Sequence, residues 1–243
     1  MVAGLHRRSQ HAKGTRMAIA TVTITNTSGA EGNLLNPEVI ADVTTQLTTA
    51  DADPAVTGII LTGAGTTFCS GLDIPAIQAG GDPVEFASAL AGLLKLLPTL
   101  GTPVAAAVNG DAVASGAALV ASADYAVALD GVKLGTREVA VGIWPMVAQV
   151  PLIQRLGARW AMENIGSGEP FTPERAREVG LINEIVSDAA LVTDAATAWL
   201  TKAARAKDVF AVGRPAFYRF AEMGYDEALD ASVSLFARMT RGE

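Results

Sequence analysis

The clearest shortages in this 243-residue sequence are of cysteine and histidine. A single cysteine, Cys69, excludes an intrachain disulfide and a metal site built from several thiolates. Both histidines, His6 and His11, lie in the polar, basic segment 1–16, which we expect to form a disordered tail. The folded part therefore offers no imidazole to activate a cysteine or serine nucleophile.

Long apolar runs and an excess of positive charge are also absent. No stretch of about 20 apolar residues predicts a membrane-spanning helix. The net charge of −7 gives no general attraction to nucleic acid or to anionic membranes. The N-terminus lacks the apolar segment of a signal peptide. We therefore expect a cytoplasmic protein with no metal, no nucleic-acid partner and no membrane partner.

Short apolar strands alternate with helices in the first half of the chain. Strands are predicted at 17–26, 57–63, 103–110 and 125–129, and helices at 36–53, 83–100 and 115–123. This alternation favours an α/β fold with largely parallel strands. After about residue 144 the pattern predicts helices only, the last of them continuous from Arg214 to Arg241. Residues 17–190 are predicted to form the core, and 191–243 a helical C-terminal subdomain.

Two glycine-containing turns each follow a predicted strand, GTTFCSGLDI (65–74) and NGDAVASGAAL (109–119). Glycine permits positive φ and close approach of the backbone. A helix that starts after such a turn presents unpaired N–H groups. Two such turns side by side would aim two N–H donors at one point, forming an oxyanion hole that needs no side-chain nucleophile. A dinucleotide site at GAGTTF (63–68) is disfavoured, because the third glycine of that fingerprint is missing.

These turns resemble the oxyanion loops of the crotonase superfamily, the enoyl-CoA hydratase/isomerase family. GTTFCSGLDI resembles the motif G-x-x-F-C/S-A-G-x-D, and AAVNGDAVASGAALVASADYAVA resembles A-x-x-N-G-x-A-x-G-G-G-x-E-L. LGTREVAVGIWP (134–145) resembles F-x-x-P-E-x-x-x-G-x-x-P, and RAREVGLINEIV (175–186) resembles A-x-x-x-G-L-V-x-x-V. The four segments occur in the family's order and spacing.

The resemblance implies a crotonase-type spiral of ββα turns with a helical C-terminal subdomain, assembled as a homotrimer or a dimer of trimers. It implies an acyl-CoA thioester as substrate and no separate cofactor, since coenzyme A is part of that substrate. By motif, the oxyanion donors are the backbone N–H groups of Leu72 and Ser115. The residues implied to line the substrate and CoA path are Gly71, Leu72, Asp73, Ile74, Pro75, Ser115, Gly116 and Trp144.

The sequence departs from the family motifs at the catalytic carboxylates. Hydratases of the family use two glutamates; the first position is Ala118 here, and the second is Glu138, preceded by Arg137 instead of proline. One carboxylate suffices to move a proton between C2 and C4 of a 3-enoyl thioester, so we predict isomerisation by Glu138. A hydratase run by Glu138 alone and a non-catalytic acyl-CoA-binding protein are the alternatives.

Each carboxylate also has a purely structural interpretation. Glu138 is then a surface group paired with Arg137 or another cation. The motif context instead predicts a pocket role for Glu138, with Val139, Val141, Ile143 and Trp144 as its apolar surroundings. Asp73 is then a helix-start carboxylate that stabilises backbone N–H groups. Asp124 is expected to be a turn residue before the strand YAVAL.

Overall fold

The computed structural model describes residues 18–26, 32–203 and 207–241. The predicted tail lies outside them. The described strands are β1 (Ala18–Ile24), β2 (Val56–Gly63), β3 (Thr67–Cys69), β4 (Val104–Val108), β5 (Asp111–Val113), β6 (Tyr125–Leu129), β7 (Leu134–Gly135) and β8 (Glu184–Val186). The described α-helices are α1 (Pro37–Ala52), α2 (Ile74–Gln78), α3 (Pro83–Leu96), α4 (Ser115–Ser122), α5 (Gln149–Ser167), α6 (Pro173–Glu178), α7 (Ala189–Ala203), α8 (Lys207–Ala221) and α9 (Tyr225–Arg241).

The strands form two parallel sheets. Five make a large sheet in the order β1-β2-β4-β6-β8, and three short ones make a small sheet in the order β3-β5-β7. Each strand of the small sheet follows directly on a strand of the large one, and a helix or helical turn comes next along the chain. This repeat is the spiral of ββα turns that was predicted, and the α/β prediction is confirmed.

Both faces of the large sheet are covered, which explains its apolar strands. All five residues of β4, VAAAV, are buried, as expected for a parallel strand with a helical layer on each side. α1, α3 and α4 pack on one face. On the other face Val192, Ala196 and Leu200 of α7 pack against Ile60 and Val127. None of the described helices is long and apolar enough to cross a membrane.

Two expectations for the C-terminal part are wrong. The chain is not purely helical after residue 144, because β8 completes the large sheet by pairing with β6. Its three residues are too few to show strand periodicity. The segment from Arg214 to Arg241 is not one helix, since α8 ends at Ala221 and α9 begins at Tyr225. Gly224, a poor helix former, lies in the break.

A buried ion pair joins α8 to the core and gives Asp124 a larger role than the expected turn residue. The Arg214 Nε lies 2.7 Å from Asp124 Oδ2, and its Nη1 donates to the carbonyls of Leu97 and Leu100. Asp124 Oδ2 also accepts from the Val104 N–H. The carboxylate therefore fixes the start of β4 and the middle of α8 at one point.

Candidate active site

The first oxyanion loop leaves the end of β3 and turns at Gly71. Gly71 has φ of +104°, which glycine adopts without strain. Its carbonyl accepts from the Leu35 N–H at 2.8 Å, and the Asp73 N–H donates to the Leu35 carbonyl at 2.9 Å. In a parallel bridge of this kind, one residue of the pair bonds to the two residues that flank its partner, so the partner's own N–H is not used. The Leu72 N–H therefore points away from Leu35.

A short helix follows at once and accounts for Asp73. The Asp73 Oδ1 accepts from the Ala76 N–H at 3.0 Å, which makes the buried carboxylate the N-cap of α2. Pro75 lies in the first turn, where its missing N–H costs nothing. Asp73 thus has the helix-start role, while Ile74 remains exposed beside it.

The second loop joins β5 directly to α4 through Ala114. Ala114 has φ of +54° and ψ of −122°, an uncommon conformation for a residue with a side chain. Its N–H donates to the Gly135 carbonyl and its carbonyl accepts from the Ala117 N–H, and it turns the chain sharply into the helix. Ser115 is the first helical residue, so its N–H has no acceptor within the helix. A β-carbon on Gly116 would overlap the Cys69 carbonyl, so α4 lies directly against β3.

The two loops are in contact. A β-carbon placed on Gly71 would lie 2.7 Å from the Ala114 β-carbon and 3.6 Å from the Ser115 nitrogen. The structure therefore brings together the segments that carry Leu72 and Ser115.

The third segment carries Glu138 and is aligned by β7. Gly135 pairs with Val113 in the small sheet, and its carbonyl accepts from the Ala114 N–H at 2.9 Å. Glu138 follows three residues later and opens a 3₁₀ turn that ends at Val141. Because β3, β5 and β7 are parallel, the loops that follow them leave the same edge of the small sheet. Two N–H donors and one carboxylate are therefore presented on neighbouring loops.

The Glu138 carboxylate is held by backbone rather than by a cation. Its Oε2 accepts from the Arg137 N–H at 2.8 Å. Within the described part of the chain the Arg137 guanidinium forms no ion pair with it. Three of the four apolar residues expected around Glu138 lie open to solvent: Val141, Ile143 and Trp144 are all exposed, and the Trp144 Nε1 donates to Gln149 Oε1 at 2.8 Å. The part of a single chain that the structure describes therefore does not enclose this carboxylate.

Ala118 and Cys69 are buried and add no charge to the site. Ala118 lies fully buried one turn along α4 from Ser115. Burial raises the pKa of the Cys69 thiol to about 12, partly opposed by a hydrogen bond from the Gly71 backbone. The thiol is therefore protonated at neutral pH, unlike a cysteine nucleophile. The Ser70 N–H donates to the Gly32 carbonyl at 2.8 Å.

The two cavities described below lie away from the edge where the loops after β3, β5 and β7 leave the small sheet. A cavity of about 680 Å³ lies at the opposite end of the small sheet, where Thr67 and Asp111 begin β3 and β5. A second, of about 420 Å³, lies between the turn at Gly131 and the segment 168–174. Neither cavity contains an N–H donor or carboxylate of the predicted site. The described residues contain no group of three or more histidine, cysteine, aspartate or glutamate side chains that could hold a metal ion.

The fold and the loop arrangement define a protein of the crotonase type, and sequence comparison agrees. The family model for enoyl-CoA hydratase/isomerase matches residues 14–243. The chain therefore belongs to the enoyl-CoA hydratase/isomerase family.

Curated relatives are of moderate similarity. The chain is 34% identical over 170 residues to enoyl-CoA hydratase domain-containing protein 3, mitochondrial, of Xenopus laevis, a match that covers 69% of this chain and 58% of that protein. It is 30% identical over 166 residues to crotonyl-CoA hydratase of Syntrophomonas wolfei, covering 67% and 64%. It is 30% identical over 188 residues to a probable enoyl-CoA hydratase of Bacillus subtilis, covering 76% and 72%. The chain thus spans less than two thirds of the first two of these relatives.

Solved structures share the fold over most of the chain. An enoyl-CoA hydratase of Mycobacterium smegmatis superposes with a TM-score of 0.83 at 25% identity, covering 90% of this chain and 86% of that one. Human enoyl Coenzyme A hydratase domain-containing protein 3 superposes with a TM-score of 0.83 at 24% identity, covering 91% and 88%. At that identity the second likeness concerns the fold alone.

Proposed function

We propose that this protein binds an acyl-CoA thioester at the edge of the small sheet and isomerises 3-enoyl-CoA to 2-enoyl-CoA. The observation that carries the proposal is the contact between the loops that bear Leu72 and Ser115, beside the loop that bears a single carboxylate, Glu138. Ala118, buried in α4 where hydratases of the family carry a second glutamate, leaves the chain with one carboxylate in these motifs. The reaction uses no cofactor beyond the coenzyme A of the substrate.

The proposed chemistry needs one group that both takes and returns a proton. The Glu138 carboxylate removes a proton from C2, and the electrons of that C–H bond move to the thioester oxygen to form a dienolate. The N–H groups of Leu72 and Ser115 stabilise the oxygen as its negative charge develops, an effect worth several kcal/mol per donor when the donors are fixed in advance. The protonated Glu138 then delivers the proton to C4, and the double bond shifts into conjugation.

We propose supporting roles for the remaining residues of the CoA path. Gly71 and Gly116 let the loops and the ligand approach closely, and Ile74, Pro75 and Trp144 offer apolar surface. Asp73 contributes by holding α2 in place.

A hydratase that uses Glu138 alone is the second candidate, supported by relatives whose names are those of hydratases. Hydration needs a base for water at C3 and an acid for C2, and one carboxylate would have to serve in both roles. The third candidate, an acyl-CoA-binding protein without turnover, is supported by the alanine at 118.

The deciding experiment offers the purified protein a 3-enoyl-CoA and a 2-enoyl-CoA in separate D₂O reactions, followed by chromatography and mass spectrometry. We expect the 3-enoyl substrate to become the conjugated isomer with no gain of water. Glu138→Gln should lower the rate at least about 100-fold, since it removes the only proposed acid–base group. Glu174→Gln, at an exposed glutamate on α6, is the matched control. Water addition to the 2-enoyl substrate would favour the hydratase, and binding without turnover would favour the third candidate.

We also propose that the protein assembles as a homotrimer or a dimer of trimers in the cytoplasm. The support for assembly is an apolar face on α9 that the described part of the chain leaves exposed. Leu229, Val233, Phe236 and Met239 follow one another at helical spacing on this face, and each is at least half exposed. A face of this kind is typical of a protein–protein contact.

Light scattering after size-exclusion chromatography tests the assembly. The parent should elute with three or six times the mass of the chain, and Phe236→Asp should reduce that mass because a charge cannot be buried unpaired in the contact. Asp226→Asn, a change in the polar first turn of the same helix, is the control. A parent that is monomeric at micromolar concentration would contradict this proposal.

A further inference from the structure

A buried asparagine on α5 holds the segment that leads to Glu138. Asn164 is only 1% exposed. Its Oδ1 accepts from the N–H of Thr136 at 2.7 Å and from the Thr136 hydroxyl at 3.0 Å. Its Nδ2 donates to the carbonyls of Thr136 and Glu169, both at 2.8 Å. The side-chain amide thus bonds both backbone groups of Thr136, as a neighbouring strand would do.

The C-terminal end of α5, where Asn164 lies, also contacts the chain before and after Glu138. A β-carbon on Gly135 would lie 2.7 Å from Asn164 Oδ1, so the amide packs directly on the last residue of β7. A β-carbon on Gly168, just after α5, would lie 2.5 Å from the Ala140 nitrogen. The end of the helix therefore contacts the backbone on both sides of Glu138.

Among the described residues, the segment is also held by the bonds of Leu134 with Phe171 and of the Gly135 carbonyl with the Ala114 N–H, but these all lie before Thr136. β7 has two residues, and the 3₁₀ turn that follows has four. Short elements of this kind have few internal hydrogen bonds, so their position depends on tertiary contacts. The side chain that supplies four hydrogen bonds at this point is Asn164.

We propose that Asn164 is a positioning residue that holds Glu138 in register with the two oxyanion donors; this rests on the proposed function. It acts through Thr136. The side-chain amide of Asn164 fixes the distance between the Thr136 backbone and α5, and Glu138 lies two residues further along the chain. Leucine at position 164 has the same branched shape and number of side-chain heavy atoms and would suit the apolar face formed by Ala161 and Ile165. It would leave the Thr136 N–H and carbonyl buried without partners, and the segment would move to satisfy them.

Asn164→Leu tests the proposal with 3-enoyl-CoA as substrate. We expect kcat to fall about 30-fold with KM within about twofold of the parent, because a carboxylate displaced by about 1 Å is a poor base. A chromophoric enoyl-CoA analogue, whose absorption shifts to the red when N–H donors polarise its carbonyl, should keep its full shift. The two N–H donors lie on the other two loops. A lower kcat together with an unchanged absorption shift therefore indicates that only the position of Glu138 has changed.

A double variant separates a role through Glu138 from a general loss of structure. If Asn164 acts through Glu138, Asn164→Leu should lower the residual rate of Glu138→Gln no further. Asn164→Ser keeps one hydroxyl that can bond the Thr136 backbone and loses the remaining bonds without adding a charge, and we expect an intermediate loss of about fivefold. This variant also allows the test if the leucine variant does not fold.

Asn109 provides a matched control. Its Nδ2 donates to the carbonyls of Gly63 and Gly65 at 2.9 and 2.8 Å, and its Oδ1 accepts from the Gly63 N–H at 3.2 Å. This is the same kind of clamp at the opposite end of the small sheet. Asn109→Leu should lower the melting temperature while kcat of the folded protein stays within about twofold of the parent.

Three results would overturn the proposal. One is a folded Asn164→Leu protein with the parent's kcat. Another is an equal rate loss from Asn164→Leu with and without Glu138. The third is loss of the absorption shift along with kcat, which would mean a general disruption. If the parent binds the analogue but shows neither red shift nor turnover, the proposed function itself fails, and the role of Asn164 fails with it.

Discussion

Gly71 and Ala114 lie so close together that a β-carbon on Gly71 would come within 2.7 Å of the Ala114 β-carbon. Both residues have positive φ, and each directly precedes one of the two proposed oxyanion donors. This contact sets the separation of the two loops. The two loops therefore meet at a contact between one glycine and one methyl group, with no charged group involved.

Gly71→Ala should inactivate the protein more than it unfolds it. The added methyl group strains a φ of +104° and pushes against Ala114, so the Leu72 N–H moves away from the Ser115 N–H. We expect turnover of 3-enoyl-CoA to fall at least about 100-fold, the loss seen when one oxyanion donor is removed. Gly92→Ala, in an exposed part of α3 with open space around it, should leave turnover unchanged and stabilise the helix by about 0.5–1 kcal/mol. An active Gly71→Ala protein would contradict the proposed donor pair.

Cys69 should be chemically silent in the native protein. Its thiol is fully buried, and burial raises its pKa to about 12, so the reactive thiolate is scarce at neutral pH. We expect an aromatic disulfide reagent to label native protein at least about 100-fold more slowly than urea-unfolded protein. Cys69→Ala should keep more than about half of the parent's turnover, since only packing is changed. Rapid labelling that stops turnover would instead indicate an accessible, reactive thiol.

Removing one partner of the Asp124–Arg214 ion pair should strongly destabilise the folded protein. Arg214→Met leaves the Asp124 carboxylate without its cation in a nearly dry environment, and we expect the free energy of unfolding to fall by about 3–5 kcal/mol. The double variant Arg214→Met/Asp124→Leu should recover part of this loss, because no unpaired charge remains. Urea unfolding followed by circular dichroism measures both. Arg175→Met, which breaks exposed pairs with Glu163 and Glu178, should cost much less. Equal losses for the two arginine variants would contradict this account.

Ionisation of Tyr218 should lower the stability of the folded protein in strong alkali. Burial, followed by the nearby Asp124 carboxylate that accepts the tyrosine O–H at 2.6 Å, raises the pKa of Tyr218. The native state therefore keeps this proton at pH values where the unfolded chain has lost it. The stabilisation is complete below the unfolded pKa of about 10 and is lost as pH rises through the folded value. Melting temperatures should fall less between pH 9 and 11 for Tyr218→Phe than for the parent, and parallel curves would contradict this.

Long apolar strands and capped helices were predictable from the sequence, because their patterns extend over many residues. β2 and β4 stand out as buried runs, and α1 begins at Pro37 after the N-cap Asn36, within one residue of the predicted start at 36. The short strands β3, β5 and β7 were not predicted, since two or three residues show no period. The motifs nevertheless located the loops that follow them, because glycine in a turn marks a position where the backbone needs positive φ.

Asn164 shows what sequence reasoning missed. A polar residue between Ala161 and Ile165 on the apolar face of α5 was a usable signal, but its partner, Thr136, lies 28 residues away. Asp124 was likewise read as a turn residue, because Arg214 is 90 residues further along the chain. Partners at such separations are brought together only by the packing of whole elements.

The sequence by itself determined the family, the α/β class and the two glycine turns, since these depend on local pattern and composition. The tertiary structure alone decided that the loops after β3, β5 and β7 leave one edge, that the end of α5 packs beside Glu138, and that Val141 and Trp144 stay exposed in a single chain. The physical reason is that a side chain's partners depend on the register of parallel strands and on helix packing. Both result from burying the whole core at once, and no short stretch of sequence encodes them.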